Sequence, residues 1–241
     1  MHAHDQTPPA AGPRATNAAR CPFSLAAGAV LPSLADVLKE RTRDAHTRAE
    51  RHALQADMVR GSVTREQYAG WLGQMLHVWR ALDEGLAALA ARDPRVAATV
   101  RSYHVHAPRV LADLGFLGCR ADDTAVLPAT ARFVELVHRT SAGPSLVGIW
   151  YVLEGSANGG RFIAQALSRG LQIVGPEGLT SFNPHGERQR EYWQAWRAAL
   201  DAQTFDDSER GEIIAAASAA FDAIYDLMDD LRGVDAVRVA D

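Results

Sequence analysis

The segment Gly148-Ile149-Trp150-Tyr151-Val152-Leu153-Glu154-Gly155-Ser156-Ala157-Asn158-Gly159-Gly160-Arg161-Phe162-Ile163 restricts the fold more than any other part of the chain. Both flanks read as helix, with Leu146, Ile149, Trp150 and Leu153 on one side and Phe162, Ile163, Ala166 and Leu167 on the other. Inside that pattern stand Gly155, Gly159 and Gly160, each costing about 1 kcal/mol relative to alanine. A helix that accepts this repeatedly has a bend or a close neighbour there. Gly155 and Gly159 are four positions apart, so they share one face, and that face is bare backbone. Two readings follow. Either small residues let another helix pack closely, or something flat and wide rests on the backbone with Ser156 and Asn158 at hand.

Composition narrows the setting. The chain has 241 residues, enough for one large core. Its 47% hydrophobic and 22% charged content is that of a globular protein. A net charge of −4 gives nucleic acid no reason to bind. Cys21 and Cys119 are far apart and form no Cys-x-x-Cys pair, which fits a reducing compartment. The longest apolar run, from Ser145 to Leu153, is too short to cross a bilayer, and the start of the chain lacks a secretory pattern. A cytoplasmic protein with no membrane partner is expected.

Residues 1–30 are rich in Ala, Pro, Thr and Asn without periodicity and read as a disordered tail, with His2 and His4 idle. A helix begins at Ser33 with Asp36 three positions on, an acidic capping box, and its inner stripe is Leu34, Val37, Leu38, Ala45 and Ala49. A second capping box, Thr64 with Gln67, opens a long helix carrying Tyr68, Leu72, Met75, Trp79, Leu82, Leu86 and Leu89, which Asp93-Pro94 stops. Its Met and aromatic stripe reads as core rather than cofactor pocket, with Trp79 able to serve both. One or two helices fill 95–118, where His104 and His106 mark a boundary rather than ligands. A short helix spans 129–140. The glycine-bearing helix ends at Gly170, a loop runs to Gly186, and two more helices carry Arg188, Arg190, Tyr192, Trp193, Trp196 and Leu200, then Ile213 to Leu231. No strand-like alternation appears. The expected architecture is all-α: one multi-helix domain over 31–233, with a short C-terminal tail at 234–241.

Chemistry gathers on the first helix. His46 lies beside the inner stripe, with Glu50 one turn later, Arg43 three residues before it and Lys39 seven before it. A lone helical histidine is ordinarily a surface or core residue. This one has a carboxylate in reach to orient one ring nitrogen while the other binds iron, and cations nearby suited to a ligand bearing carboxylates. Glu135-Leu136-Val137-His138 places a carboxylate and an imidazole on one face, half of a di-iron site, but the chain has no second copy and a surface pair accounts for it.

The run Leu38-Lys39-Glu40-Arg41-Thr42-Arg43-Asp44-Ala45-His46-Thr47-Arg48-Ala49-Glu50 resembles the proximal helix of heme oxygenases, and Tyr151 to Gly160 resembles their distal helix. The likeness is greatest to the bacterial branch, including enzymes associated with bacteriophytochromes, and covers about Ser33 to Leu231. It implies a heme-oxygenase-like bundle holding heme b between the first helix and a kinked, Gly-rich distal helix. Heme would be cofactor and substrate at once, opened to biliverdin with release of CO and ferrous iron, using O2 and an external reductant such as ferredoxin or a flavoprotein reductase. A bacteriophytochrome would be a possible acceptor of the product.

By the same resemblance His46 is the axial ligand and Glu50 its partner, while Lys39 and Tyr151 bind propionates. Arg43 sits near the heme edge, and Arg190 (or Arg188) adds a further basic contact. Gly155, Ser156 and Gly159 form the distal backbone and water network, flanked by Asn158 and Gly160. Ser156 stands where animal members have an aspartate. With no acid or histidine in 155–160, nothing there splits an O–O bond quickly as a peroxidase requires. A heme carrier or sensor without turnover, or a di-iron oxidase on the same bundle, are the alternative readings. Cys21-Pro22, a dipeptide type able to offer a thiolate to ferric heme, reads as incidental.

Overall fold

In a computed structural model the described residues are 32–121 and 124–239, with side chains described to 233. The expected N-terminal tail, with His2, His4 and Cys21-Pro22, lies outside them. The described residues carry ten α-helices and no strand, in one compact unit. The helices are α1 (Leu34–Arg41), α2 (Arg43–Glu50), α3 (Ala53–Arg60), α4 (Arg65–Ala90) and α5 (Pro94–Ala97). They continue with α6 (Ala107–Phe116), α7 (Pro128–Thr140), α8 (Leu146–Gly170), α9 (Gln189–Asp201) and α10 (Asp207–Val239).

Local signals explain most boundaries. The Ser33 hydroxyl accepts from the Asp36 amide at 3.2 Å and starts α1. Thr64 and Gln67 close a reciprocal box at 3.2 and 2.9 Å and start α4. Asp93 accepts from the Arg95 amide at 2.9 Å, and Pro94 then opens α5. The stretch from Ser33 to Glu50, expected as one helix, is broken at Thr42, where φ is −100° and ψ is 4°. There the buried Thr42 hydroxyl donates to the Leu38 carbonyl at 2.8 Å, a back-bond that bends a helix. α2 therefore starts afresh and aims Arg43 and His46 independently of α1. At the other end α10 continues to Val239, past the expected tail boundary at 234, since nothing after Gly233 stops a helix.

α8 and α10 pack along their length, with α7 and α2 also against α10, while α6 and α7 flank α4. Trp150 and Trp196 are fully buried and meet edge to face at 5.0 Å, joining α8 to α9. Each such side chain contributes about 1.5–3 kcal/mol by burial, enough to fix the order of the helices. The loop 171–188 is pinned to the bundle by polar contacts. Buried Asp113 on α6 accepts from the Thr180 amide and hydroxyl and from the Ser181 amide at 3.0, 2.7 and 2.7 Å. The Tyr68 hydroxyl on α4 donates to the Gly178 carbonyl at 2.7 Å.

The α8–α10 crossing depends on Gly148. A β-carbon there would stand 2.0 Å from the Ile213 carbonyl oxygen and 2.8 Å from the Ala217 amide nitrogen, both backbone atoms that cannot turn aside. Gly148→Ala is expected to destabilise the protein by about 1–3 kcal/mol through overpacking. Thermal unfolding checks this: the midpoint should fall by several degrees despite alanine's better helix propensity.

Candidate functional site

Between α1–α2 and α8 lies a cleft of about 530 Å³, closed at the back by α9 and α10. Lys39, Arg43, His46 and Glu50 line one wall, and Tyr151, Gly155, Ser156 and Gly159 line the other. The volume falls in the range of about 300–1,000 Å³ that small-molecule and cofactor sites occupy. Every residue singled out from the sequence for this site borders it except Arg190 and its alternative, Arg188.

On the first wall the His46 Nδ1 lies 3.4 Å from a Glu50 carboxylate oxygen, and the ring meets Phe221 edge to face at 5.5 Å. The carboxylate engages Nδ1, which leaves Nε2 for a ligand. Both side chains are more than half exposed, so their mutual attraction is screened and orients the ring more than it stabilises the fold.

The second wall is α8, whose helix runs unbroken through all three glycines. They do different things. A β-carbon at Gly159 would meet nothing within 4 Å, so this backbone is open to the cleft. At Gly155 it would stand 3.2 Å from the Trp193 ring, so that part of the expected bare face is partly covered by an indole. At Gly160 it would stand 1.9 Å from the Phe182 carbonyl oxygen. Gly160 therefore lets the 171–188 loop pack on α8 on the side where a side chain would stand, while its backbone still borders the cleft.

Ser156 and Asn158 are also turned inward on their own helix. The Ser156 hydroxyl donates to the Leu153 carbonyl at 2.7 Å, leaving its oxygen to accept. The Asn158 amide donates to the Gly155 carbonyl at 2.9 Å and its oxygen accepts from Gln189 at 3.4 Å. Asn158 braces the Gly155 turn rather than reaching across the cleft.

Arg190 is exposed at the start of α9 and does not border the cleft. Arg197, two turns later on the same face, does. Its guanidinium donates to Asp36 at 2.6 Å, beside Tyr151, whose phenol is pushed up by burial and stays a neutral donor. Arg188 is elsewhere, paired with Glu191 and lying over the Tyr192 ring. Glu135 and His138 are both exposed on α7, as a surface pair should be.

Behind α8 is a cluster that the sequence did not reveal. Glu154, next to Gly155 but facing the other way, is buried. Its two oxygens lie 2.7 Å from His106 Nε2 and 2.9 Å from His185 Nε2. Burial raises the Glu154 carboxyl, but the two imidazole contacts outweigh it and hold the group well below the usual range. Burial also pulls neighbouring His104 down to about 4, so it is neutral. His104 and His106 do mark a boundary, the entry to α6, but His106 is a buried partner of Glu154 as well.

Fold and cleft thus define an all-helical bundle with a cleft between two helices, an imidazole on one wall and glycine backbone on the other. The chain belongs to the heme oxygenase family, whose model matches residues 32–230. It is 25% identical over 207 residues to heme oxygenase 1 of Homo sapiens, covering 83% of this chain and 72% of that protein. Its fold is similar to heme oxygenase from Leptospira interrogans, at 24% identity and TM-score 0.76, over 82% of this chain and 98% of that one. It is similar as well to heme oxygenase-1 from Synechocystis sp. PCC6803 in complex with heme, at 20% identity and TM-score 0.77, over 87% and 97%. Among the described residues no helix is long and apolar enough to cross a membrane.

The glycine geometry yields a stability test. Gly159→Leu projects into open space and gains helix propensity of somewhat under about 1 kcal/mol, so its unfolding midpoint should equal or exceed wild type. Gly160→Leu collides with the Phe182 backbone and should lower it strongly. Equal midpoints for the two variants would show that the faces of α8 are assigned wrongly.

Proposed function

We propose that this protein is a heme oxygenase that opens heme b to biliverdin, releasing CO and ferrous iron, with O2 and electrons from an external donor. The observation that carries the proposal is the cleft itself, in a member of this family. A histidine with a carboxylate 3.4 Å from its Nδ1 lines the cleft opposite open glycine backbone, together with cationic side chains.

A macrocycle with two carboxylate arms fits these residues. His46 would hold the iron through Nε2, with Glu50 orienting the ring. Lys39, Arg43 and Arg197 border the rim where the propionates would lie, with the Tyr151 phenol as a hydrogen-bond donor. Exposed ion pairs contribute only about 0.2–1 kcal/mol each. The cations therefore set how the ring is rotated, while apolar burial and the axial bond supply most of the affinity. Heme, when bound, supplies the iron that takes up dioxygen and the ring carbon that is oxidised.

The distal wall then works by what it lacks. At Gly159 no side chain keeps a ligand off the helix. Ser156 accepts hydrogen bonds but its proton is committed to Leu153. Glu154, the acid nearest in sequence, faces away with both oxygens held by histidines. No carboxyl or imidazole on α8 therefore stands ready to hand over a proton, which favours attack on the ring over peroxidase chemistry.

Ferredoxin or a flavoprotein reductase is the electron donor in this reading, the setting is cytoplasmic, and a bacteriophytochrome is a fitting acceptor of biliverdin. The test is to add heme to the purified protein, then a reductant in air. Decay of the Soret band with growth of biliverdin absorption is expected; a Soret band that persists would make the protein a carrier or sensor. His46→Ala should nearly abolish biliverdin formation. Glu50→Ala should keep it with heme affinity reduced by no more than about tenfold, below the usual upper range for such partners because the pair is exposed. Unchanged turnover in His46→Ala would place the axial ligand elsewhere.

A further inference from the structure

His106, Glu154 and His185 come from three separate segments: the entry to α6, the distal helix and the 171–188 loop. The contacts of Glu154 with His106 and His185 span 48 and 31 residues of sequence. Their side chains are 3%, 1% and 1% exposed, and one ligand atom from each lies within 4.8 Å of the others. The reaction proposed for the cleft uses none of them.

We propose that His106, Glu154 and His185 hold a single divalent first-row transition ion, Zn2+ or Fe2+, as a structural brace behind the distal helix. Two imidazole nitrogens and one carboxylate are a donor set for such an ion, which hard-cation sites for Mg2+ or Ca2+ do not use. Ligands at about 2.0–2.2 Å from an ion lie about 3.3–3.6 Å apart in a tetrahedron and about 3 Å apart when adjacent in an octahedron. The two contacts of 2.7 and 2.9 Å need to open by less than about 1 Å to reach that spacing. Each imidazole would ligate as the neutral ring through Nε2, with its ring proton on Nδ1. The ion also answers a question of charge. A buried carboxylate carries a negative charge that a proton or a dication beside it must offset.

The brace would tie three segments at the residue before Gly155. It would fix the distal backbone from behind and hold down the loop whose Phe182 packs on Gly160.

Chelator-stripped, heme-free protein titrated with Co2+ tests the proposal. One equivalent is expected to bind with the visible d–d bands of a nitrogen- and oxygen-ligated ion. X-ray absorption of the wild-type cobalt protein should show two imidazoles in the inner shell. Glu154→Gln and His185→Gln should each weaken binding by more than about 100-fold, since loss of a direct ligand exceeds loss of an outer partner. His46→Ala should leave it unchanged, which separates this site from the cleft. Absence of stoichiometric cobalt uptake, an inner shell without two imidazoles, or full uptake by both variants would overturn the proposal and establish a proton-sharing network instead. Normal heme turnover by a protein that takes up no cobalt would refute the brace alone.

Discussion

Contact between the backbone of α8 and its neighbours is the constraint on which the rest of the molecule depends. At Gly148 the helix touches the Ile213 carbonyl of α10, and at Gly160 it touches the Phe182 carbonyl of the following loop. Neither approach leaves room for a single methyl group. Gly159 stands one residue before the second of these sealed contacts, and there the same backbone meets open space. The cleft is thus what remains when a helix is held tightly on two sides by neighbours that glycine admits. Each glycine costs about 1 kcal/mol of intrinsic helix stability. Burial of Trp150, Ile149 and Leu153 on the same helix, at about 1.5–3 kcal/mol each, outweighs that cost.

The two walls differ in rigidity for related reasons. α8 is packed along its length, whereas α2 is eight residues long, begins at the Thr42 break and exposes most of its surface. An isolated helix of that length would not persist in water. It is held by α10, through contacts such as His46 against Phe221. The imidazole therefore rests on the less constrained wall and the featureless backbone on the more constrained one. A ligand placed between them meets a fixed plane on one side and an adjustable donor on the other. That division suits a macrocycle that must enter, be altered in shape and leave.

How much of this was legible in the sequence depended on distance along the chain. Arg43, His46 and Glu50 fall within eight residues of one helix, where periodicity alone sets which side chains meet, while Lys39 lines the same cleft from across the break at Thr42. Gly155 and Gly159 were legible for the same reason. Gly160 was not distinguishable from Gly159, because adjacent residues point about 100° apart and only the phase of the packed helix says which one faces the loop. Arg190 and Arg197 share a face two turns apart, so choosing between them needed the point where α9 meets the cleft. Thr42 gave no advance sign of a break, since its back-bond to Leu38 is one of several options open to a helical threonine.

The Glu154 cluster was hidden for a different reason. Glu154 stands inside the motif that identifies the distal helix, yet both of its partners lie on other segments, and His106 reads from the sequence as a mere boundary. Its position bears on the chemistry of the cleft nonetheless. A helix presents opposite faces within two residues, so an acid beside Gly155 can be kept off the distal wall simply by anchoring it on the far side. The two histidines do that here, and in doing so they hold the carboxylate ionised as well as turned away. A side chain that would be a proton donor on one face is, on the other, a fixed anchor for the backbone at Gly155, and the same contacts decide both.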